Sequence, residues 1–192
     1  MNRTHKYIQT FAACFFLFGA FGVLGFAQPP STQQTTLPPL EAESKRGLED
    51  FIASAARAYG QDPALIHAVI EQESNYDPEA VRFEGHLYEK LRDKVRNDSK
   101  RMQLASSHGL MQVLGVEAQR RGVSYGALYD PETNIEVGTS MLTACVEKSS
   151  AKSKLERLKQ GLSCYNTGRH DSDRGRLYAE SVLLRFLARK MM

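Results

Sequence analysis

Asp62-Pro63-Ala64-Leu65-Ile66-His67-Ala68-Val69-Ile70-Glu71-Gln72-Glu73-Ser74-Asn75-Tyr76-Asp77-Pro78 is the stretch on which the reading of this chain turns. Asp62 is a good N-cap, and Pro63 stands where a helix needs no backbone N–H. Leu65, Ile66, Val69 and Ile70 then recur at helical spacing. The ladder of four from Leu65 through Val69 arrives at Glu73, so a carboxylate lies on the apolar face. Burial there disfavours the charged form, and the carbonyl-rich end of the helix disfavours it further. Both raise the pKa, as a general acid near neutral pH requires. From this helix alone two readings stand open: an acid catalyst, or a partly buried carboxylate held by a salt bridge or backbone donors. Glu71 points elsewhere on the helix and reads as an ordinary solvated charge.

The chain around this helix is helical almost throughout. A first helix is expected over 48–59, with Leu48, Phe51, Ile52 and Ala55 inward and Gly60 closing it. Residues 84–102 read as one charged surface helix, with Leu87, Leu91 and Val95 at spacings of four. Further helices are expected over 111–121, stopped at Gly122, over 154–162 and over 176–190. Asp130-Pro131 repeats the cap-and-proline start and opens a helix in which Ile135, Gly138, Met141, Leu142 and Cys145 face inward. Nothing alternates at a period of two over a useful length. The expected fold is a mainly α single domain over 45–192, with at most a small β-hairpin.

Two segments precede that domain. Arg3 and Lys6 lead into an uncharged apolar run from Phe11 to Ala27, the pattern of a signal peptide over 1–27. An uncleaved N-terminal membrane anchor is the alternative, since the run is little short of a span. Residues 28–44, rich in Pro, Gln and Thr, form a linker unable to build a core. The chain is thus expected to be exported, to the periplasm or cell wall. Of 25 Lys and Arg against 22 Asp and Glu, Arg3 and Lys6 lie in the leader. The remainder is nearly neutral, with no basic footprint for nucleic acid. Loss of the leader removes Cys14 and leaves Cys145 and Cys164, either as a disulfide or as two buried thiols. His67, His86, His108 and His170 make no metal-ligand spacing, so neither metal nor cofactor is expected.

Three further segments carry site chemistry. Ser107-His108-Gly109-Leu110-Met111-Gln112-Val113 sets a polar amide beside apolar packing. Leu128-Tyr129-Asp130-Pro131-Glu132-Thr133-Asn134-Ile135 is a turn feeding a buried helix. Ser163-Cys164-Tyr165-Asn166-Thr167-Gly168 puts a ring, an amide and a glycine on one short connector. Singly, each is explained by turns and packing. In this order, with the Glu-Ser pair followed by Tyr76-Asp77-Pro78, they resemble the successive motifs of the soluble lytic transglycosylase family, lysozyme-like enzymes that act on peptidoglycan. Tyr178-Ala179-Glu180 matches the tyrosine-containing end of the family domain more weakly.

The resemblance implies a lysozyme-like domain acting on peptidoglycan glycan strands. It makes Glu73 the single catalytic acid/base and Ser74, Gln112, Tyr165 and Asn166 lining residues of the cleft. Gly109, Leu110, Met111, Asn134 and Ile135 would shape that cleft. It further implies cleavage between N-acetylmuramic acid and N-acetylglucosamine with 1,6-anhydro ends, because the substrate's own hydroxyl replaces the second carboxylate of ordinary glycosidases. A secretion or pilus assembly system is a candidate partner by analogy. Between Asp77 and Gly109 the chain carries more than the family's usual spacer. Glu84, in that insertion, is either a salt-bridge partner of Arg82, His86 or a lysine, or a water-activating base that would make the enzyme a hydrolytic muramidase like goose-type lysozymes. A glycan-binding assembly module without turnover is the third reading.

Overall fold

The helix that carries Glu73 is the centre of the molecule. In the computed structural model, which describes residues 40–192 and their side chains from 47 on, it runs from Pro63 to Ser74 as α2, following α1 (Leu40–Tyr59). Asp62 accepts the Ala64 N–H at 2.9 Å, the expected cap, and Asn75 ends the helix in the left-handed region. Leu65, Ile66, Ala68, Val69 and Ile70 are all buried, so α2 is enclosed on more than one side. This wider burial follows from its neighbours: α1 and α8 (Asp173–Met191) both pack on it, while α6 (Pro131–Glu147) and α7 (Lys154–Thr167) complete the helical layer.

On the other side stands a small antiparallel sheet of β1 (Val81–Phe83), β2 (Ser106–His108) and β3 (Val113–Leu114), in that spatial order. Val81 faces His108 and Ser107 faces Leu114. The mainly helical class holds; the sheet has one strand more than the hairpin the sequence allowed. Strands of two and three residues are too short for alternation to register.

Four boundaries differ from expectation. First, α1 begins at Leu40, taking in residues read as linker. Second, the single helix over 84–102 is two, α3 (Gly85–Lys90) and α4 (Asp98–Leu104). The first ends at Lys90 in a turn over 91–94; the Asn97 side chain then accepts the Lys100 N–H and starts α4 afresh, and Arg101 lies 4.3 Å over the Tyr88 ring, folding α4 back on α3. Third, the helix expected from Met111 starts only at Gly115, as α5 (Gly115–Arg120), because residues 109–112 make the turn between β2 and β3. Fourth, α7 runs past Leu162 to Thr167, with Gly168 as its left-handed cap, so Tyr165 and Asn166 sit on a helical turn rather than a connector.

Close approaches tie the helical side together. A Cβ at Gly138 would lie 2.6 Å from Met111 Cβ, and one at Gly175 would overlap the Ser163 side chain. Cys145 and Cys164 form a disulfide between the last turns of α6 and α7. Glu71 is no solvated charge: Arg189 of α8 donates to it at 2.7 Å and Arg185 lies at 3.5 Å. The leader and most of the linker lie outside the described residues, and no described helix is long and apolar enough to cross a membrane.

Candidate active site

Glu73 stands in the last turn of α2, its side chain 4% exposed. Burial there raises its pKa above the ordinary value. Tyr178, Arg82 and Arg174 temper the shift, and Glu84 adds to it. The Tyr178 hydroxyl donates to Glu73 Oε1 at 2.7 Å. Arg82 lies 3.7 Å from Oε2 and favours the ionised form, Glu84 opposes ionisation by its charge, and Arg174 favours it. The sum is a carboxyl group that keeps its proton above the usual pH yet has a donor and cations ready for its anion. In turn, burial, with the Glu73 charge nearby, pushes the Tyr165 and Tyr178 hydroxyls well above the usual phenol range, so both stay protonated and able to donate.

The turn over residues 109–112 builds the wall facing this carboxyl. Gly109 has φ 72°, and a Cβ there would overlap Asn134 Nδ2 and lie 2.6 Å from Leu128 O. Asn134, near the start of α6, uses its whole amide on this turn and its surroundings. It accepts from Met111 N at 2.8 Å and donates to His108 O and Leu128 O, both at 2.8 Å. Leu110 and Met111 are buried beneath, as is Ile135. Gln112 follows with φ 48°, a left-handed conformation that costs a non-glycine residue about 1–3 kcal/mol. Its Nε2 donates to Ala80 O at 2.9 Å and Gly109 O at 3.1 Å. Both amide hydrogens are thereby committed, and its oxygen makes no hydrogen bond among the described residues.

A cavity of about 550 Å³ opens in front of Glu73. Gln112, Tyr165 and Asn166 line it, together with Arg82 and Glu84 from the insertion. The Tyr165 hydroxyl donates to Met111 O at 2.6 Å, locking ring and turn together. Asn166 Oδ1 is buried without a hydrogen-bond partner, an acceptor left for something that enters. Ser74 behaves differently: it does not line the cavity, and its hydroxyl donates to Leu110 O at 2.8 Å and Ile70 O at 3.2 Å. Its contribution is to pin α2 to the turn. Glu84 is held by Arg82 Nε at 3.0 Å, the salt bridge weighed for it.

Sequence reasoning underrated two residues. Tyr178 was noted only as part of a weak motif, and its contact with Glu73 spans 105 residues of chain. Arg82 was given to Glu84 alone, although it reaches both carboxylates. Alternation across β1 is the one local signal that Arg82 faces apart from Val81 and Phe83.

The arrangement is suited to protonating an ether oxygen and taking a proton back at the same carboxyl, with an amide oxygen and a buried acceptor for polar substrate groups. Comparison with known families agrees: the model for the transglycosylase SLT domain matches residues 50–182.

Proposed function

Because this chain belongs to the transglycosylase SLT domain family, whose membership implies action on peptidoglycan, we propose that it is a lytic transglycosylase with Glu73 as its sole acid/base. Its bond would be the β-1,4 link from N-acetylmuramic acid to N-acetylglucosamine. Protonated Glu73 gives its proton to the bridging oxygen as the bond from the muramyl anomeric carbon breaks. The muramyl 6-hydroxyl then attacks that carbon, and its proton passes to the Glu73 carboxylate. One strand leaves with a restored hydroxyl, the other with a 1,6-anhydro ring, and Glu73 is protonated again. No water is consumed.

The observation that carries this reading is the buried Glu73 carboxyl, raised in pKa yet held by Tyr178 and Arg82. A carboxyl that must be acid and then base needs both features. Gln112 and Asn166 supply polar contacts to the sugars; Ser74, tied to backbone carbonyls, acts by positioning. Action on a wall outside the cytoplasmic membrane fits the expected export.

Purified sacculi digested by the wild type should yield muropeptides with anhydro ends in mass spectra, and Glu73→Gln should lower the rate by about 10²-fold or more. Retention of most activity by that variant would remove Glu73 from the mechanism. A hydrolytic outcome has one observation in its favour: Glu84 lines the same cavity. It would leave reducing ends, and Glu84→Gln would then abolish turnover. The bond from Arg82 to Glu84 argues for a positioning role instead, in which Glu84→Gln retains anhydro products. A module without turnover would bind sacculi and release nothing.

A further inference from the structure

The cavity in front of Glu73 holds more positive charge than its own carboxylates use. Arg82 serves Glu73 and Glu84, and Arg121 pairs with Glu117 at 3.0 Å. Lys148 and Arg174 also line the cavity, and neither makes an ion pair or side-chain hydrogen bond among the described residues. Lys148 follows the last turn of α6, where the carbonyl end of a helix favours a cation. Arg174 has no such local reason. It occupies the first turn of α8, where the helix disfavours positive charge, while Arg176 takes the carboxylates of Asp173 and Glu180.

The fold ties the segments that carry the two cations together through α7. Gly175, next to Arg174, is pressed against Ser163 without room for a Cβ. Cys164 follows Ser163 and is bonded to Cys145, one helical turn before Lys148. His170 reinforces the junction through Cys145 O at 2.8 Å. A glycan strand offers little to such a pair, since its sugar rings are uncharged. Its muramyl residues, however, carry a lactyl-linked peptide with free carboxylates.

Resting on the transglycosylase reading, we propose that Lys148 and Arg174 bind carboxylates of the peptide borne by the muramyl residue, so that the enzyme selects strands carrying acidic peptides. The test compares kcat/KM on three soluble substrates: native peptide-bearing strands, the same strands with carboxylates converted to carboxamides, and strands stripped by an amidase, which keep only the lactyl carboxylate. Wild type should favour native strands by about tenfold over both others at low salt, the sum of two exposed ion pairs, and the preference should shrink as salt rises. The double variant Lys148→Gln/Arg174→Gln should bring all three ratios near one. Ratios within one enzyme cancel any effect of Arg174 on Glu73. The single variants, each at an exposed position, repeat the measurement should the double fail to fold. Equal wild-type rates on native and amidated strands would overturn the site; so would variants that keep the preference. Stripped strands cut as fast as native ones would move recognition to the lactyl group and overturn the peptide assignment. Absence of anhydro-ended product from every substrate would instead bring down the transglycosylase reading itself.

Discussion

At the scale of single residues, Glu73 is poised between two opposing influences. Burial holds the proton on; Tyr178 and Arg82 draw it off. The protonated fraction limits the first step, so activity should fall as pH rises through the raised pKa. Tyr178→Phe removes a donor that favours the anion and should move this alkaline limb of kcat/KM to higher pH; a limb left in place would separate Tyr178 from Glu73 ionisation. The same shift affects folding. The folded chain keeps a proton that the unfolded chain releases above its ordinary 4.5, so this contribution is full below that pH and is lost as pH rises through the folded value. Glu73→Gln should therefore melt higher than wild type at pH 8, with the gap closing toward pH 4 in paired thermal scans. Glu73 was legible because its ladder and cap are local. Tyr178 was not, since only tertiary packing brings it near.

At the scale of elements, the turn over 109–112 shows how far motifs carry. Gly109, Leu110 and Met111, read as shaping the cleft, lie in the turn beside the cavity, but the helix drawn from Met111 was wrong because two left-handed residues and a two-residue strand leave no periodic trace. Asn134 holds that turn with three buried hydrogen bonds. Asn134→Ala should cost about 3 kcal/mol in urea unfolding, mostly from orphaned backbone groups. Gly109→Ala, with both a positive φ and no space, should cost about 2–4 kcal/mol and reduce turnover with it. A change below about 0.5 kcal/mol in either would mean that the turn is held elsewhere. The connector reading of 163–168 failed for a related reason: Tyr165 and Asn166 continue the α7 turn by backbone bonding that their side chains do not advertise.

At the scale of the whole molecule, the class and the order of helices followed from caps and apolar spacing, whereas the insertion did not. Its helices bury almost nothing, so apolar spacing there had no core to report: α3 has no buried residue and α4 has only Leu104. The disulfide lies on the opposite side and closes a loop 19 residues long in sequence separation. Cys145→Ser/Cys164→Ser should lose about 3 kcal/mol of stability, visible as a lower melting temperature that reductant no longer changes. The helical side, with its cross-link and its glycines pressed against Met111 and Ser163, has no slack. On the strand side β2 is buried and the turn after it is pinned by Ser74, Asn134 and Tyr165, so only β1, whose three residues are exposed, has few such restraints. Any give in the cleft therefore falls to its β1 rim, while the bed made by the helices and the pinned turn holds its shape.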